Sequence, residues 1–322
     1  MPQIYHPILR NKQNERDVVQ SFGGLTHFEH TNDRVIDLEP IIEIGGDTDL
    51  NDLDPFVDAS NGVLVDLPVY QMARDTSFGN AVESAVTEYD GRVGFYQANA
   101  DCIDRPVVSG RIETPVDYDI HHIQQQALRD YFRTVVHRLM IRLTGPLTDS
   151  QRESISTLAE SLRPTDQVLF DIPDTGYSDG LRENLRFLSR TFSDNQLGVL
   201  NVFNPFDGDG TNRTPYVAEE FGMDGFGDFA INVRYPGNGY QGDTVIIRHY
   251  HPSQSVVREF DGSTYEGASD DLTDWNEWQT QHCDFCRDAD LLSTGGMSTR
   301  NPNAWKQIRM GHYLTSMLRS EL

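Results

Sequence analysis

Val135–Phe203 reads VVHRLMIRLTGPLTDSQRESISTLAESLRPTDQVLFDIPDTGYSDGLRENLRFLSRTFSDNQLGVLNVF. Three short apolar runs, at 136–142, 167–172 and 198–203, alternate with amphipathic stretches at 149–162 and 178–192. Continuous apolar runs of this length fit strands buried on both faces, as in parallel sheets covered by helices. Thr148 stands where a helix cap belongs. Working outward, the same kind of run appears at 4–10, 39–44, 62–67 and 106–110, and once more at 228–234. Helical stretches at 15–22, 79–89, 121–132 and 215–221 fall between them, with a shorter one at 50–57, while 92–105 reads equally well as strand or helix. Eight strands at a spacing of roughly 30 residues predict a closed, TIM-like (β/α)₈ barrel; an open doubly wound sheet is the alternative.

Past the eighth run the period stops. Thr244–Tyr250 (TVIIRHY) reads as a hairpin partner for 228–234, and 261–276 is acidic and rich in turn residues. Trp305–Leu318 has the pattern of a closing helix, with Trp305, Ile308, Tyr313, Leu314 and Met317 on its apolar face. The expected organisation is one domain: a barrel over 1–238, with 239–322 forming a hairpin, an irregular acidic excursion and a helix packed back on the barrel.

The 322 residues include 34 Asp, 16 Glu and 24 Arg but only two Lys, Lys12 and Lys306, for a net charge of -24. That charge disfavours non-specific binding to nucleic acid or to an anionic membrane surface. In dilute buffer it repels itself, whereas at molar salt the screening length falls to roughly 3 Å. Carboxylate excess with lysine scarcity therefore predicts a halophilic protein with an acidic surface. No apolar run reaches the roughly 18 residues of a membrane span. Met1–Arg10 lacks a basic region followed by an apolar one, so no secretory signal is expected. Three cysteines, Cys102, Cys283 and Cys286, are too few for a disulfide framework, and a reducing, cytoplasmic location is expected. Cys283 and Cys286 have the spacing of a zinc half-site or a redox pair, but a lone pair of this kind reads first as buried cysteines. No GxGxxG or GxxxxGK loop opens any of the expected helices, and no HExxH zinc motif or GxSxG elbow is present.

The opening YHPILRNKQNERDVV followed by EPIIEI resembles the beta family proteins, a family named after a bacteriophage T4 protein. The match runs through Tyr5, Pro7, Ile8, Leu9, Lys12, Glu15, Pro40 and Glu43, with Asn14 where the family has glycine and Arg10 where it often has lysine. Phe226–Gly237 resembles the family's Gly-Asp-aromatic segment with its Arg-Tyr pair, and VIIRHY its next strand. Trp305 and His312 resemble its ending, where Tyr313 departs. The resemblance implies a single phage-related domain and no particular reaction.

Active sites of (β/α)₈ barrels lie at the C-terminal ends of the strands. Those ends carry Arg10 and Lys12, Glu43, Asp66, Arg111, Arg142, Asp171 and Arg234 in strand order. Arg10, Arg111, Arg142 and Arg234 suit a phosphate or carboxylate by paired hydrogen bonds. Lys12, Glu43, Asp66 and Asp171 are the candidate catalytic groups. Lys12 is singled out because the chain otherwise uses arginine. No cofactor is dictated; Mg²⁺ is the one that three carboxylates would admit, in a phosphoester hydrolysis. The expected partner is a small anionic ligand, phosphorylated or a nucleotide. The alternative is a non-catalytic interaction or scaffold protein of phage or phage-defence origin, with a protein partner.

Overall fold

The computed structural model describes residues 4–23, 36–51, 53–60, 63–68, 77–100, 103, 106–111, 130, 140–144, 147, 149–171, 178–202, 210–231, 245–276, 278, 283, 285 and 302–318. The strands are β1 (Ile4–Arg10), β2 (Asp37–Leu38), β3 (Ile41–Glu43), β4 (Leu64–Asp66), β5 (Pro106–Arg111), β6 (Met140–Thr144), β7 (Gln167–Asp171), β8 (Gln196–Leu200) and β9 (Gly225–Asp228). All their pairings are parallel, and β9 pairs back onto β1 through Ile4–Gly225 to Pro7–Asp228, which closes the ring. β2 and β3 lie on the same edge of β1, Asp37 against Ile4 and Ile41 against Ile8. They are one strand interrupted at Glu39–Pro40, because proline brings no N–H to the ladder. Counted so, eight strands form the barrel, and the adjacency of the first and last rules out an open sheet.

Helices alternate with the strands: α1 (Gln13–Gly23), α2 (Asp54–Ala59), α3 (Ser77–Glu88), α4 (Arg92–Ala98), α5 (Asp149–Ser161), α6 (Asp179–Thr191) and α7 (Thr214–Glu220). The ambiguous stretch after Gly91 is thus helical at its start. α6 begins where Ser178 accepts a hydrogen bond from the Leu181 N–H, an ordinary N-cap. Its apolar stripe of Leu181, Leu185 and Leu188 is buried against the sheet.

Side-chain alternation divides the core in two. Tyr5, Leu9, Ile42, Val65, Ile141, Val168, Phe170, Val199 and Phe226 face the helices. Ile8, Ile41, Leu64, Met140, Leu169, Leu200 and Phe229 form a separate apolar belt inside the ring. Below that belt His6 is fully buried, with Nε2 3.0 Å from Gln167 Nε2 and Nδ1 3.0 Å from the Glu39 carbonyl. The amide nitrogen only donates and the carbonyl only accepts, so His6 is the Nδ1–H tautomer. A Cβ on Gly225 would come within 2.9 Å of His6 Nε2, and one on Gly227 within 2.1 Å of the His6 carbonyl oxygen. Glycine at both positions lets β9 approach β1 and close the ring.

Three sequence expectations change. The last strand is 225–228, not 228–234, because the chain turns sharply at Ala230 and Ile231, both at positive φ. The run at 198–203 is a strand over 196–200. The segment expected to pair with the last strand instead pairs antiparallel with its own neighbour: β10 (Val245–His251) and β11 (Val256–Gly262) make an independent hairpin. Within the acidic stretch lies α8 (Tyr265–Thr273), capped by Thr264. The closing helix α9 (Pro302–Leu318) packs on α1, β1 and β10. It occupies the place of the eighth barrel helix, so the hairpin and α8 are an insertion between the last strand and its helix. The expected helix at 121–132 lies outside the described residues apart from Asp130.

Candidate functional site

The strand ends above the apolar belt carry charge. Arg142 extends from β6 into the barrel and is 1% exposed. Its Nη1 donates to Glu43 Oε1 and to Asp66 Oδ2, each at 2.8 Å. Its Nε and Nη2 both donate to Asp171 Oδ2, at 3.0 and 2.7 Å. Glu43, Asp66 and Asp171 are all fully buried. They come from β3, β4 and β7, so one guanidinium joins strands on opposite sides of the ring. Burying any one of these charges alone would cost several kcal/mol, about the magnitude that makes unpaired interior ions rare. The fork of donors on arginine is what lets one cation satisfy three carboxylates.

Arg10, at the end of β1, approaches from the side. Its Nη2 lies 3.5 Å from Glu43 Oε2, and its guanidinium stands over the rings of Phe78 and Phe229, 5.1 and 5.9 Å from their centroids. Asn201 closes the β8 side. It holds a left-handed backbone at φ 58° and donates from Nδ2 to Asp171 Oδ1 at 2.6 Å. Its Oδ1 is buried and has no hydrogen-bond partner among the described residues. Asn201, Ala230 and Ile231 put three non-glycine residues at positive φ around the mouth. Strained backbone of this kind concentrates at functional sites.

The structure thus brings together Arg10, Glu43, Asp66, Arg142 and Asp171. Lys12 is exposed, two residues beyond the β1 end. Arg111 ends β5 opposite Thr144, and nothing is described of its side chain. Arg234 lies outside the described residues. Asn201 was missed because the apolar run was carried on to Phe203; a polar residue directly after GVL was the available signal.

Glu15, in the first turn of α1, is a further buried acid near the mouth. Lys306 of α9 reaches it with Nζ 3.5 Å from Oε1. Burial pushes the Glu15 carboxyl above its usual range, against the pull of Lys306, Arg10 and Lys12. Burial likewise lowers the Lys306 ammonium, against the pull of Glu15. Both lysines of the chain therefore bear on one glutamate.

The carboxylates do not fit a Mg²⁺ cage. Each spends an oxygen on Arg142, and Asp171 spends its second on Asn201. Among the described residues no group of three or more His, Cys, Asp or Glu side chains is arranged to hold a metal ion. No described helix is long and apolar enough to cross a membrane. Fold and site together define a (β/α)₈ barrel protein with a buried ionic layer at its C-terminal mouth. No family model and no curated protein matches the chain.

Proposed function

We propose that the mouth of the barrel binds a small polar ligand with an anionic group, phosphorylated or a nucleotide. The anion faces Arg10 and Lys12 at the β1 edge, and a hydroxyl or amino group of the ligand donates to Asn201. The observation that carries this reading is the Asn201 carboxamide oxygen, buried without a hydrogen-bond partner among the described residues. An unsatisfied buried acceptor costs about 1–3 kcal/mol, which a ligand donor would recover. Arg142 acts as the internal counter-ion that pairs with Glu43, Asp66 and Asp171 and fixes them beneath the ligand. Hydrolysis of a phosphoester at this site would use Glu43 as base through Oε2, the oxygen that accepts no hydrogen bond among the described residues, and does not rest on a metal held by the carboxylates.

The second reading is a non-catalytic scaffold, of phage or phage-defence origin, in a halophilic host. The pairing of all three carboxylates with Arg142 favours it, since such a layer also serves as a closed structural floor. The beta family resemblance supports both readings equally. Its matching residues include Tyr5, Glu15, Glu43 and His312, all buried and all engaged in the bonds that hold the barrel and its closing helix.

A thermal-shift screen of metabolites and nucleotides in molar KCl, followed by calorimetry on the best compound, separates the two. Asn201→Gly removes the amide while tolerating the positive φ. It and Lys12→Ala should each weaken binding at least tenfold; Lys12→Ala should leave the high-salt melting point unchanged, while Asn201→Gly, which also removes the donor to Asp171, should lower it. Wild-type affinity in both variants, or no compound that shifts melting, leaves the scaffold reading.

A further inference from the structure

Asn201 is not alone at the mouth in carrying an oxygen that bonds to nothing. Glu43 is fully buried, and its Oε1 accepts from Arg142 Nη1 at 2.8 Å. Its Oε2 is buried as well, accepts no hydrogen bond among the described residues, and has Arg10 Nη2 at 3.5 Å. Glu15, 1% exposed, repeats the arrangement at the rim: Lys306 Nζ stands 3.5 Å from Oε1, and Oε2 is buried with no hydrogen-bond partner among the described residues. Both contacts are longer than an ordinary N–H···O bond of about 2.7–3.2 Å. Three buried acceptors, from β3, β8 and the first turn of α1, are thus left over at one end of the barrel. Buried polar atoms are almost always hydrogen-bonded, so these oxygens call for donors. The donors must also live beside cations. Arg10, held over the rings of Phe78 and Phe229, borders Glu43 Oε2, and Glu15 lies within the pull of Lys306, Arg10 and Lys12. An ammonium only donates and would set cation against cation there. A hydroxyl donates one hydrogen and offers two lone pairs, so it gives to a carboxylate oxygen and accepts from the guanidinium next to it.

We propose that the floor of the mouth is a hydroxyl-binding surface and that its ligand is a phosphorylated sugar or other polyol. The hydroxyls donate to Glu43 Oε2 and Asn201 Oδ1 and, at the rim, to Glu15 Oε2. The inference rests on the ligand-binding reading of the mouth and not on hydrolysis there, since a bound hydroxyl occupies the Glu43 oxygen that a base would use. β3 and β8 are three places apart around the ring, through β1 and β9. Hydroxyls on several carbons of one ring or chain can meet acceptors separated in that way, whereas a single amino group cannot. Arg10 has donors enough for a hydroxyl on one side and the phosphate on the other. Lys12, exposed at the β1 edge, adds its charge to the phosphate side.

The test is calorimetry on the full chain in molar KCl with phosphates that differ in what they present to the floor. The probes are propyl phosphate, 2-aminoethyl phosphate, glycerol 3-phosphate, and a series of pentose 5-phosphates and hexose 6-phosphates, with the free sugars alongside. At least one hydroxylated phosphate should bind roughly tenfold or more tightly than propyl phosphate and 2-aminoethyl phosphate. Glu43→Gln keeps an oxygen for Arg142 and puts an amide donor in place of Oε2. It should weaken the best hydroxylated phosphate about tenfold without weakening propyl phosphate, since losing a carboxylate cannot repel an anion. The ligand series in wild type decides the matter even where the variant fails to fold. Propyl phosphate binding as tightly as the best hydroxylated phosphate would overturn the hydroxyl floor and leave the anion site standing, with water on the three oxygens. 2-Aminoethyl phosphate binding tightest would overturn it in favour of an ammonium. Free sugars binding as tightly as their phosphates would uphold the hydroxyl floor and overturn the anion reading. Binding by none of the probes would overturn both.

Discussion

Tyr313 on the closing helix donates to Asp228 Oδ2 at 2.5 Å, while Tyr5 on the first strand donates to Oδ1 at 2.8 Å. Asp228 ends the last strand, so one carboxylate fastens the seam of the barrel to the helix that covers it. The Ala230 N–H adds a third donor at 2.9 Å and sets the sharp turn after the strand. Burial raises the Asp228 carboxyl above its ordinary value, although the bonds from Tyr313, Ala230 and Tyr5 pull it down. Burial, then the nearby Asp228, pushes both phenols well above their usual range, so they stay donors.

A pH dependence follows. Asp228 has a folded pKa above its unfolded value of 3.8. Its contribution is complete below that value and declines as pH rises through the folded pKa. Asp228→Asn keeps an acceptor but cannot ionise. The stability gap between wild type and Asp228→Asn should therefore narrow as pH rises above 3.8 and through the folded pKa, read from denaturant midpoints at fixed KCl. A gap that widens over that range would mean the three donors outweigh the cost of burial.

Arg142 offers a sharper loss. Replacing it with alanine leaves Glu43, Asp66 and Asp171 buried together without their shared cation. Breaking a buried ion pair typically costs about 3–5 kcal/mol, and three orphaned carboxylates place this variant at the upper end. Arg142→Lys should rescue little, because one ammonium cannot reproduce the fork that reaches both sides of the ring. Combining Arg142→Met with Glu43→Gln, Asp66→Asn and Asp171→Asn should recover much of the loss in urea unfolding. Recovery is expected because uncharged groups need no counter-ion.

The barrel was legible because its buried strands are short unbroken apolar runs, and the strand ends delivered Arg10, Glu43, Asp66, Arg142 and Asp171 to one layer. Ranking them by role was not legible. Arg142 reads as an anion clamp in sequence, but its donors are spent on carboxylates 29, 76 and 99 positions away. Periodicity carries no information on such distant pairing. The last strand was misplaced for a local reason. Phe229–Val233 is as apolar as a strand, yet Asp228 captures the Ala230 N–H and turns the chain. The hairpin was assigned the wrong partner because β11, VVREFDG, is half exposed and lacks a core strand's apolar run.

Salt should govern stability. With 50 acidic residues against 26 basic, self-repulsion is strong until screened. The melting midpoint should climb steeply from low salt to several molar KCl. A midpoint flat or falling over that range would contradict a halophilic origin.

Trp305, 3% exposed, anchors the closing helix. Trp305→Ala should cost about 3–5 kcal/mol at high salt, as for other buried tryptophans. A loss under about 0.5 kcal/mol would mean that α9 contributes little to the barrel.

Lys306 and Glu15 join the same helix to α1, and their coupling can be read separately from packing. In Lys306→Met the methylene stem is largely kept but Glu15 loses its nearest cation. Glu15 already has a folded pKa raised by burial, and the variant should raise it further. A raised carboxyl contributes stability that is complete below its unfolded value of 4.5 and is lost as pH rises through the folded value. The variant should thus match wild type best in acid and fall behind as pH rises toward neutrality. At neutral pH its deficit should exceed the roughly 0–1 kcal/mol of an exposed ion pair, because Glu15 stays buried. Adding Glu15→Gln to Lys306→Met should remove the pH-dependent part of the deficit. Lys12→Arg, at an exposed position that keeps its charge, should leave the whole profile unchanged. A Lys306→Met deficit independent of pH would show that the lysine acts through its stem alone.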